Sequence, residues 1–263
     1  MRIGFIGLGN MAGAMIGGLI KSGVKKSDII GYDVSEGARS FRNTENGIDI
    51  AENNCDVARK ADYIVLAVKP QFLDPVLEEI NSTLDESKVI ISIVAGKSLV
   101  YLSKKLTNTA KIVRCMPNTA ALVGAAITAM TPSCAVTKEE LDTAKSIIES
   151  FGKADVVNEQ LMDAVTGVSG SAPAYVFMFI EAMADAAVLE GMPRSQALDF
   201  AANAVYGSAK LMIDTGKHPG ELKDMVCSPA GTTIDAVHVL EKNGFRGAVM
   251  DAVIAAAEKS KKL

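Results

Sequence analysis

Two stretches of the chain carry residue types whose spacing implies chemistry. Gly7, Leu8, Gly9, Asn10, Met11 and Ala12 follow the apolar run Ile3 to Ile6. A first glycine permits a tight turn, a second lets the backbone approach a pyrophosphate, and a small third residue keeps helix and strand close. The N–H groups that open the following helix then face the phosphates. Towards the other end, Asp224-Met-Val-Cys-Ser-Pro-Ala-Gly-Thr-Thr-Ile234 sets small and turn-forming residues between two helical runs. Ser228, Thr232 and Thr233 offer hydroxyls, and the backbone N–H groups that open a helix near Thr232 make a natural carboxylate pocket. Plain helix capping by these hydroxyls is the competing account. A nucleotide turn and a polar loop in separate halves imply an oxidoreductase acting on a small molecule.

Hydride transfer needs donor and acceptor carbons held close, with the charge developing on the acceptor neutralised. Reduction of a carbonyl calls for a strong proton donor, and candidates are sparse. The chain has 2 histidines; His238 sits in a helical pattern, and His218 precedes Pro219 where it reads as a cap. Neither forms a triad or a metal spacing, and no metal is expected. A cyclic imine relaxes the demand, because its protonated form already accepts hydride at carbon. Asp33 closes the second strand, where it could accept a hydrogen bond from a ribose 2′-hydroxyl and repel a 2′-phosphate. Ser35, Arg39 and Arg42 follow closely, and a guanidinium folding back would favour the phosphate instead. Ala67, Val68, Lys69 and Pro70 end the third strand, and Ile93, Val94, Ala95 and Gly96 the fourth. Ligands of open parallel sheets lie beyond such strand ends.

Composition narrows the partners. The chain has 263 residues, 49% of them hydrophobic, enough for a substantial core and two domains. A net charge of -4 gives no broad basic field, so nucleic acid is not expected as a partner. The 4 cysteines, Cys55, Cys115, Cys134 and Cys227, show no paired spacing and read as reduced thiols of a cytoplasmic protein. The first residues run straight into a strand, so no secretory signal is expected. The apolar run Ala172 to Ile180 meets Glu181 and Asp185 well short of the roughly 20 residues of a bilayer span, and no membrane segment is expected.

Strand-like runs at Ile3 to Ile6, Ile29 to Tyr32, Tyr63 to Val68, Val89 to Val94 and Lys111 to Cys115 alternate with helical segments. This predicts a parallel sheet covered on both faces, with Ala126 to Met130 and Asp155 to Asn158 extending one edge. The fold class is α/β: a Rossmann dinucleotide-binding domain over residues 1–158, then an all-α domain over 159–263. Helices are expected at Leu161 to Gly167, Tyr175 to Glu190, Ser195 to Asp214, Pro219 to Val226, Thr232 to Lys242 and Gly247 to Ser260. Tyr175 to Leu189 is apolar around most of its circumference, which predicts burial on several sides and a dimer. Lys259 to Lys262 reads as a solvated helix end.

These motifs together resemble the pyrroline-5-carboxylate reductase family over essentially the whole chain. The resemblance rests on Gly7 to Ala12, Ala67 to Pro70, Cys115 to Thr119, Ser169 to Phe177, His218 to Asp224, Ser228 to Ile234 and Gly244 to Arg246. It implies reduction of L-1-pyrroline-5-carboxylate to L-proline with NADPH or NADH, the last step of proline synthesis. It also implies an intertwined dimer, often built into a decamer, with part of each site supplied by the partner subunit. Gly7 through Met11, Asn54, Ala67 through Pro70 and Ile93 through Ala95 would line the cofactor. Ser228, Ala230, Gly231, Thr232 and Thr233 would hold the substrate, with Thr233 hydrogen-bonding near the imine nitrogen and Ser228 beside it. Cys115 to Thr119 would shape the floor of the domain junction, Asn118 satisfying backbone groups there.

The chain departs from the family pattern at three places. Ala172 and Ala230 stand where the family usually has glycine, and a positive φ at either would cost about 1 kcal/mol. Val34 stands where many relatives carry arginine, which weakens the case for NADPH. Two other functions compete. A β-hydroxyacid dehydrogenase would show a lysine on the first interdomain helix, and Gly167 to Ala174 has none; a silent NAD(P)-binding regulator would lose the Ser228 to Ile234 loop, which is largely intact.

Overall fold

A computed structural model describes residues 1–107, 109 and 111–262. Contacts divide them into two compact units, Met1–Ser171 with Ala255–Leu263, and Ala172–Ile254. The first unit is built on a sheet of eight strands among the described residues, β1 (Ile3–Ile6), β2 (Ile29–Tyr32), β3 (Asp49–Ile50), β4 (Tyr63–Leu66), β5 (Val89–Ser92), β6 (Ile112–Met116), β7 (Ala126–Pro132) and β8 (Gly152–Val156). Their order is β3-β2-β1-β4-β5-β6-β7-β8. The chain winds outward from β1 in one direction and then from β4 in the other, which puts the topological switch between those two strands.

The helices between these strands are α1 (Asn10–Lys21), α2 (Glu36–Asn46), α3 (Asn54–Lys60), α4 (Leu73–Asn81), α5 (Leu99–Lys105) and α6 (Lys138–Glu149). Side chains alternate across each strand, so neighbouring residues feed different layers. Ile3, Phe5, Val65 and Ile91 meet Met15, Ile16 and Leu19 of α1 and Ile147 and Ile148 of α6. On the opposite face, Ile6, Ile64, Leu66 and Ile90 meet Val57 of α3, Leu73, Leu77 and Ile80 of α4, and Leu102 of α5. The strands between these layers are buried on both faces, as continuous apolar runs require.

The parallel expectation holds from β3 through β6, and β7 departs from it by running antiparallel to β6. The connection 117–125 contains only a short 3-10 turn, Thr119–Val123. A parallel return needs a longer crossover, so a connection this brief reverses the chain. β8, reached through α6, is parallel to β7 again. The two-residue β3, absent from the sequence expectation, pairs with β2 through Ile30 and Gly31. Its brevity left no periodic signal.

After β8 the chain forms α7 (Met162–Val165), then a π-helical turn, Thr166–Gly170. The second unit follows with α8 (Ala172–Leu189), α9 (Arg194–Thr215), α10 (Pro219–Val226) and α11 (Thr232–Lys242); α12 (Phe245–Ser260) begins in it and ends in the first unit. α8 starts ahead of the expected Tyr175 because Pro173 is tolerated in a first helical turn. The buried centre of this unit is Ala184, Ala197 and Ala201, whose small side chains let α8 and α9 approach closely. Its large apolar residues lie outside instead: Phe177 is 66% exposed and Leu189 88%. The expected burial of α8 on several sides is therefore not achieved within one chain. The stretch Glu159–Leu189 also has the length and a mean hydropathy, 1.5, sufficient to cross a membrane, although Glu181 and Asp185 interrupt it.

Gly4 illustrates how tightly α3 is set against the sheet. A Cβ there would lie 2.6 Å from Val57 Cγ1 and 2.7 Å from Ala61 Cβ. Gly4→Ala is expected to lower the unfolding free energy by about 1–3 kcal/mol, read by denaturant titration; an unchanged midpoint would contradict the packing described.

Candidate functional site

The site in the first unit follows from strand register. Ile6 pairs with Tyr32 and with Leu66, and Leu66 pairs with Ser92, so four strands end at one level. Their continuations are tied across the same edge: Gly7 N–H donates to Tyr32 O at 2.8 Å, Ala67 N–H to Ile6 O at 2.8 Å, and Ile93 N–H to Leu66 O at 3.1 Å. Gly7 to Met11, Asp33, Ala67 to Pro70 and Ile93 to Ala95 are thus gathered at the carboxyl edge, beside the switch point.

The two turn glycines have different physical reasons. Gly7 has φ +94, and a Cβ on it would lie 2.7 Å from Ala67 O. Gly9 has open space around its absent Cβ, with nothing within 4 Å. Gly9 caps α1 without a side-chain hydrogen bond, and no acidic residue occupies the first turn. The amides that open α1 therefore meet no carboxylate from their own first turn, and their partial positive charge is available to an anion. Leu8 is buried at 2% exposure, Ala12 fully, and both anchor the turn to the core. Those features fit a dinucleotide: a bare cradle at Gly9 and uncapped amides behind it.

Three contacts that hold this mouth had no signal in local spacing. Asp33 Oδ2 accepts Leu8 N–H at 2.8 Å while Oδ1 accepts Ser35 N–H at 2.9 Å. Arg42 donates from Nε to Leu8 O at 3.2 Å and from Nη2 to Gly9 O at 2.9 Å. Glu159 Oε1 accepts Leu99 N–H at 2.6 Å and pairs with Arg114 Nη1 at 2.9 Å, fixing the turn after Ile93 to Ala95. Apart from the local Asp33–Ser35 bond, each joins residues far apart in sequence, which local patterning does not register.

The remaining residues of this unit are placed as follows. Lys69 is exposed and precedes a 3-10 turn, Pro70–Phe72. Asn54 opens α3, is 6% exposed, and donates its amide to Glu79 Oε2 at 2.7 Å, joining α3 to α4. Asn118 does satisfy backbone groups: its Nδ2 donates to Ser169 O at 3.2 Å and its Oδ1 accepts Ile127 N–H at 3.4 Å. The first bond is made within the π-turn 166–170, where a displaced carbonyl needs a partner. Cys115 is buried on β6, and burial pushes its thiol far up, which marks it as a packing residue.

In the second unit, α10 is opened by His218, whose Nδ1 accepts Gly220 N–H at 3.1 Å, the capping role expected of it. Beyond α10, Gly231 N–H donates to Ser228 O at 3.1 Å and closes a turn with Pro229 and Ala230 at its centre. Proline followed by a left-handed residue is the type II pattern. Ala230 takes φ 57 and is the one non-glycine residue with positive φ among those described. The conditional strain at Ala230 is therefore real, and Ala172 escapes it. A Cβ on Gly231 would lie 2.3 Å from Ser228 Oγ, so a larger residue there would turn the Ser228 hydroxyl out of its present position. Gly231 also caps α11, with no side-chain hydrogen bond. Capping by Ser228, Thr232 or Thr233 is thus not the role the structure gives these hydroxyls. Ser228 and Thr232 are exposed and Thr233 is half-buried at the helix opening.

Comparison with known proteins agrees with this geometry. Residues 159–263 match a family model described as pyrroline-5-carboxylate reductase dimerisation, and residues 2–96 one described as NADP oxidoreductase, coenzyme F420-dependent. A pyrroline-5-carboxylate reductase from Escherichia coli (strain K12) is 53% identical over 263 residues, covering 100% of this chain and 98% of the relative. The chain belongs to the pyrroline-5-carboxylate reductase family. The structure of a pyrroline-5-carboxylate reductase from Coxiella burnetii superposes with a TM-score of 0.94 at 33% identity, over 99% of this chain and 97% of the other. The Plasmodium falciparum enzyme with NADP bound gives 0.89 at 34% identity, over 100% and 97%.

The two glycines separate folding from binding. Gly7→Ala is expected to destabilise the protein by about 1 kcal/mol or more, from positive φ and the Ala67 clash. Gly9→Ala should leave Tm near that of the parent and weaken dinucleotide binding at least about tenfold, read by nicotinamide fluorescence. Equal losses of stability in both would contradict the cradle. At the second turn, Ala230→Gly is expected to raise the unfolding free energy by up to about 1 kcal/mol, measured by thermal denaturation.

Proposed function

We propose that this chain is an NAD(P)H-dependent reductase that converts L-1-pyrroline-5-carboxylate to L-proline, the last step of proline biosynthesis. The observation that carries the reading is the pair of uncapped helix openings, one per unit: α1 behind a glycine turn shaped for pyrophosphate, and α11 behind a hydroxyl-rich turn shaped for carboxylate. Family membership supplies the reaction that needs both.

Each group then has a task. Gly7, Leu8, Gly9, Asn10 and Met11 hold the dinucleotide phosphates; Asp33 lies toward the adenosine ribose; Asn54, Ala67, Val68, Lys69, Pro70, Ile93, Val94 and Ala95 line the rest of that mouth. When bound, the dihydronicotinamide supplies the hydride. Backbone N–H groups at Thr232 and Thr233, with Ser228 and the Ala230 turn, hold the substrate carboxylate. The Thr233 hydroxyl hydrogen-bonds near the ring nitrogen and fixes the face of the imine carbon. Such a site works by orientation, because a protonated imine is already electrophilic.

The protein is a homo-oligomer acting on a small molecule. Its second copy covers the apolar exterior of α8 and α9, where Phe177, Met178, Phe200 and Ile213 would otherwise remain in water. Glu181 and Asp185 within α8 suit a protein partner better than lipid. Assembly beyond a dimer, as a decamer, and a cytoplasmic location complete the reading.

Thr233→Ala is expected to lower kcat with pyrroline-5-carboxylate by about 10- to 100-fold, as loss of one aimed hydrogen-bond donor does. Dissociation constants for NADH and NADPH should stay within about twofold, since Thr233 serves the other ligand. Steady-state oxidation of either cofactor by the parent protein checks the activity itself; no oxidation with either defeats the reading.

A further inference from the structure

We infer that the adenosine end of the cofactor mouth is built to select NADH over NADPH, with Asp33 as the specificity-determining residue. The inference rests on the proposed function and adds the cofactor choice to it.

Asp33 stands at the end of β2, and its carboxylate is locked. Leu8 N–H binds one oxygen and Ser35 N–H the other, so the side chain cannot swing away without releasing the glycine turn. Its charge is therefore fixed beside the place where β2 meets the dinucleotide. A 2′-hydroxyl can donate to the remaining lone pairs of that carboxylate. A 2′-phosphate, carrying about −1.5 to −2 charges, would face it at close range.

The two arginines that follow Asp33 are already drawn to other partners. Arg39 turns Nη1 back onto Asp33 O at 2.6 Å and Val34 O at 3.2 Å, with its guanidinium 5.4 Å over the Tyr32 ring. Arg42 spends Nε and Nη2 on Leu8 O and Gly9 O and lies 5.0 Å over the Phe41 ring. Both cations thus bind backbone carbonyls, which holds their guanidinium groups against the turn and the aromatic rings. Ser35 is engaged as the cap of α2, accepting Ala38 N–H at 3.3 Å. Glu36 in the first turn of α2 adds a second negative charge there. The Val34 side chain, 84% exposed, contributes no donor.

The test is direct titration of the full-length protein with NADH and with NADPH, followed by nicotinamide fluorescence, alongside steady-state kinetics. The parent protein should bind NADH at least about tenfold more tightly, the scale of one like-charge contact at a half-exposed site. Asp33→Asn keeps an acceptor for Leu8 N–H and removes the charge, so it should narrow the gap about tenfold, chiefly by tightening NADPH. The change should appear in KM with kcat held, which general loosening of the turn would not produce. Arg39→Ala should leave the ratio of the two affinities within about threefold. Tighter NADPH binding by the parent, an unchanged ratio in Asp33→Asn, or selective loss of NADPH in Arg39→Ala overturns the inference while leaving the reductase reading intact. Binding of neither dinucleotide overturns both.

Discussion

The structure of the first unit depends on one close approach. At the switch point between β1 and β4 the chain leaves the sheet through Gly7, and its Cα sits where a Cβ would strike the carbonyl of Ala67. Because Gly7 N–H is committed to Tyr32 O and Ile6 O to Ala67 N–H, the turn cannot back away without breaking the register on either side. The same tightness delivers the opening of α1 to the carboxyl edge, where uncapped amides concentrate partial positive charge. Asp33 and Arg42 hold the turn from outside, one accepting from Leu8 N–H and the other donating to Leu8 and Gly9 carbonyls. The groups between them therefore have little freedom to lose when a ligand binds, which is the source of preorganisation.

The second unit is stabilised differently. A core of three alanines buries little apolar area, and at about 25 cal/mol per Å² it cannot offset the entropy of ordering helices as long as α8 and α9. The apolar surface that would do so lies on the exterior, including a groove of about 590 Å³ lined by Phe179, Met183, Met212 and Leu222. An exterior of this kind suits association with a second copy, in keeping with the dimerisation-domain match over residues 159–263.

How much of this was legible in sequence depends on whether the signal was local. Ile3 to Ile6, Ile29 to Tyr32, Pro219 to Val226 and Thr232 to Lys242 were readable because an apolar period, a proline or a turn marked both their ends. The antiparallel turn of β7 was not, because strand direction is decided by the length and content of a connection more than by the strand. The glycine turn was readable as residue spacing, whereas its braces from Asp33 and Arg42 were not, since each depends on two segments meeting only after folding. Apolarity all around α8 was visible, and it pointed to burial that a single chain does not provide.

Ala230 shows why a strained residue can persist in such a site. The turn at Pro229 and Ala230 needs a left-handed residue, and alanine meets that need at a cost glycine would avoid. Alanine also restricts the unfolded chain more than glycine does, and Pro229 fixes its own φ, so part of the cost is recovered as reduced freedom in the unfolded turn. What remains is a stiff loop that presents backbone N–H groups at the start of α11. Between Ser228 and Ile234 there is no ionisable side chain, so the proposed carboxylate contacts involve only dipoles and hydroxyls that do not titrate near neutral pH. A loop of this composition has no acid or base to offer, and its contribution to a reduction is to hold the reacting carbon still. Rigidity and modest strain are therefore the expected physical character of such a turn.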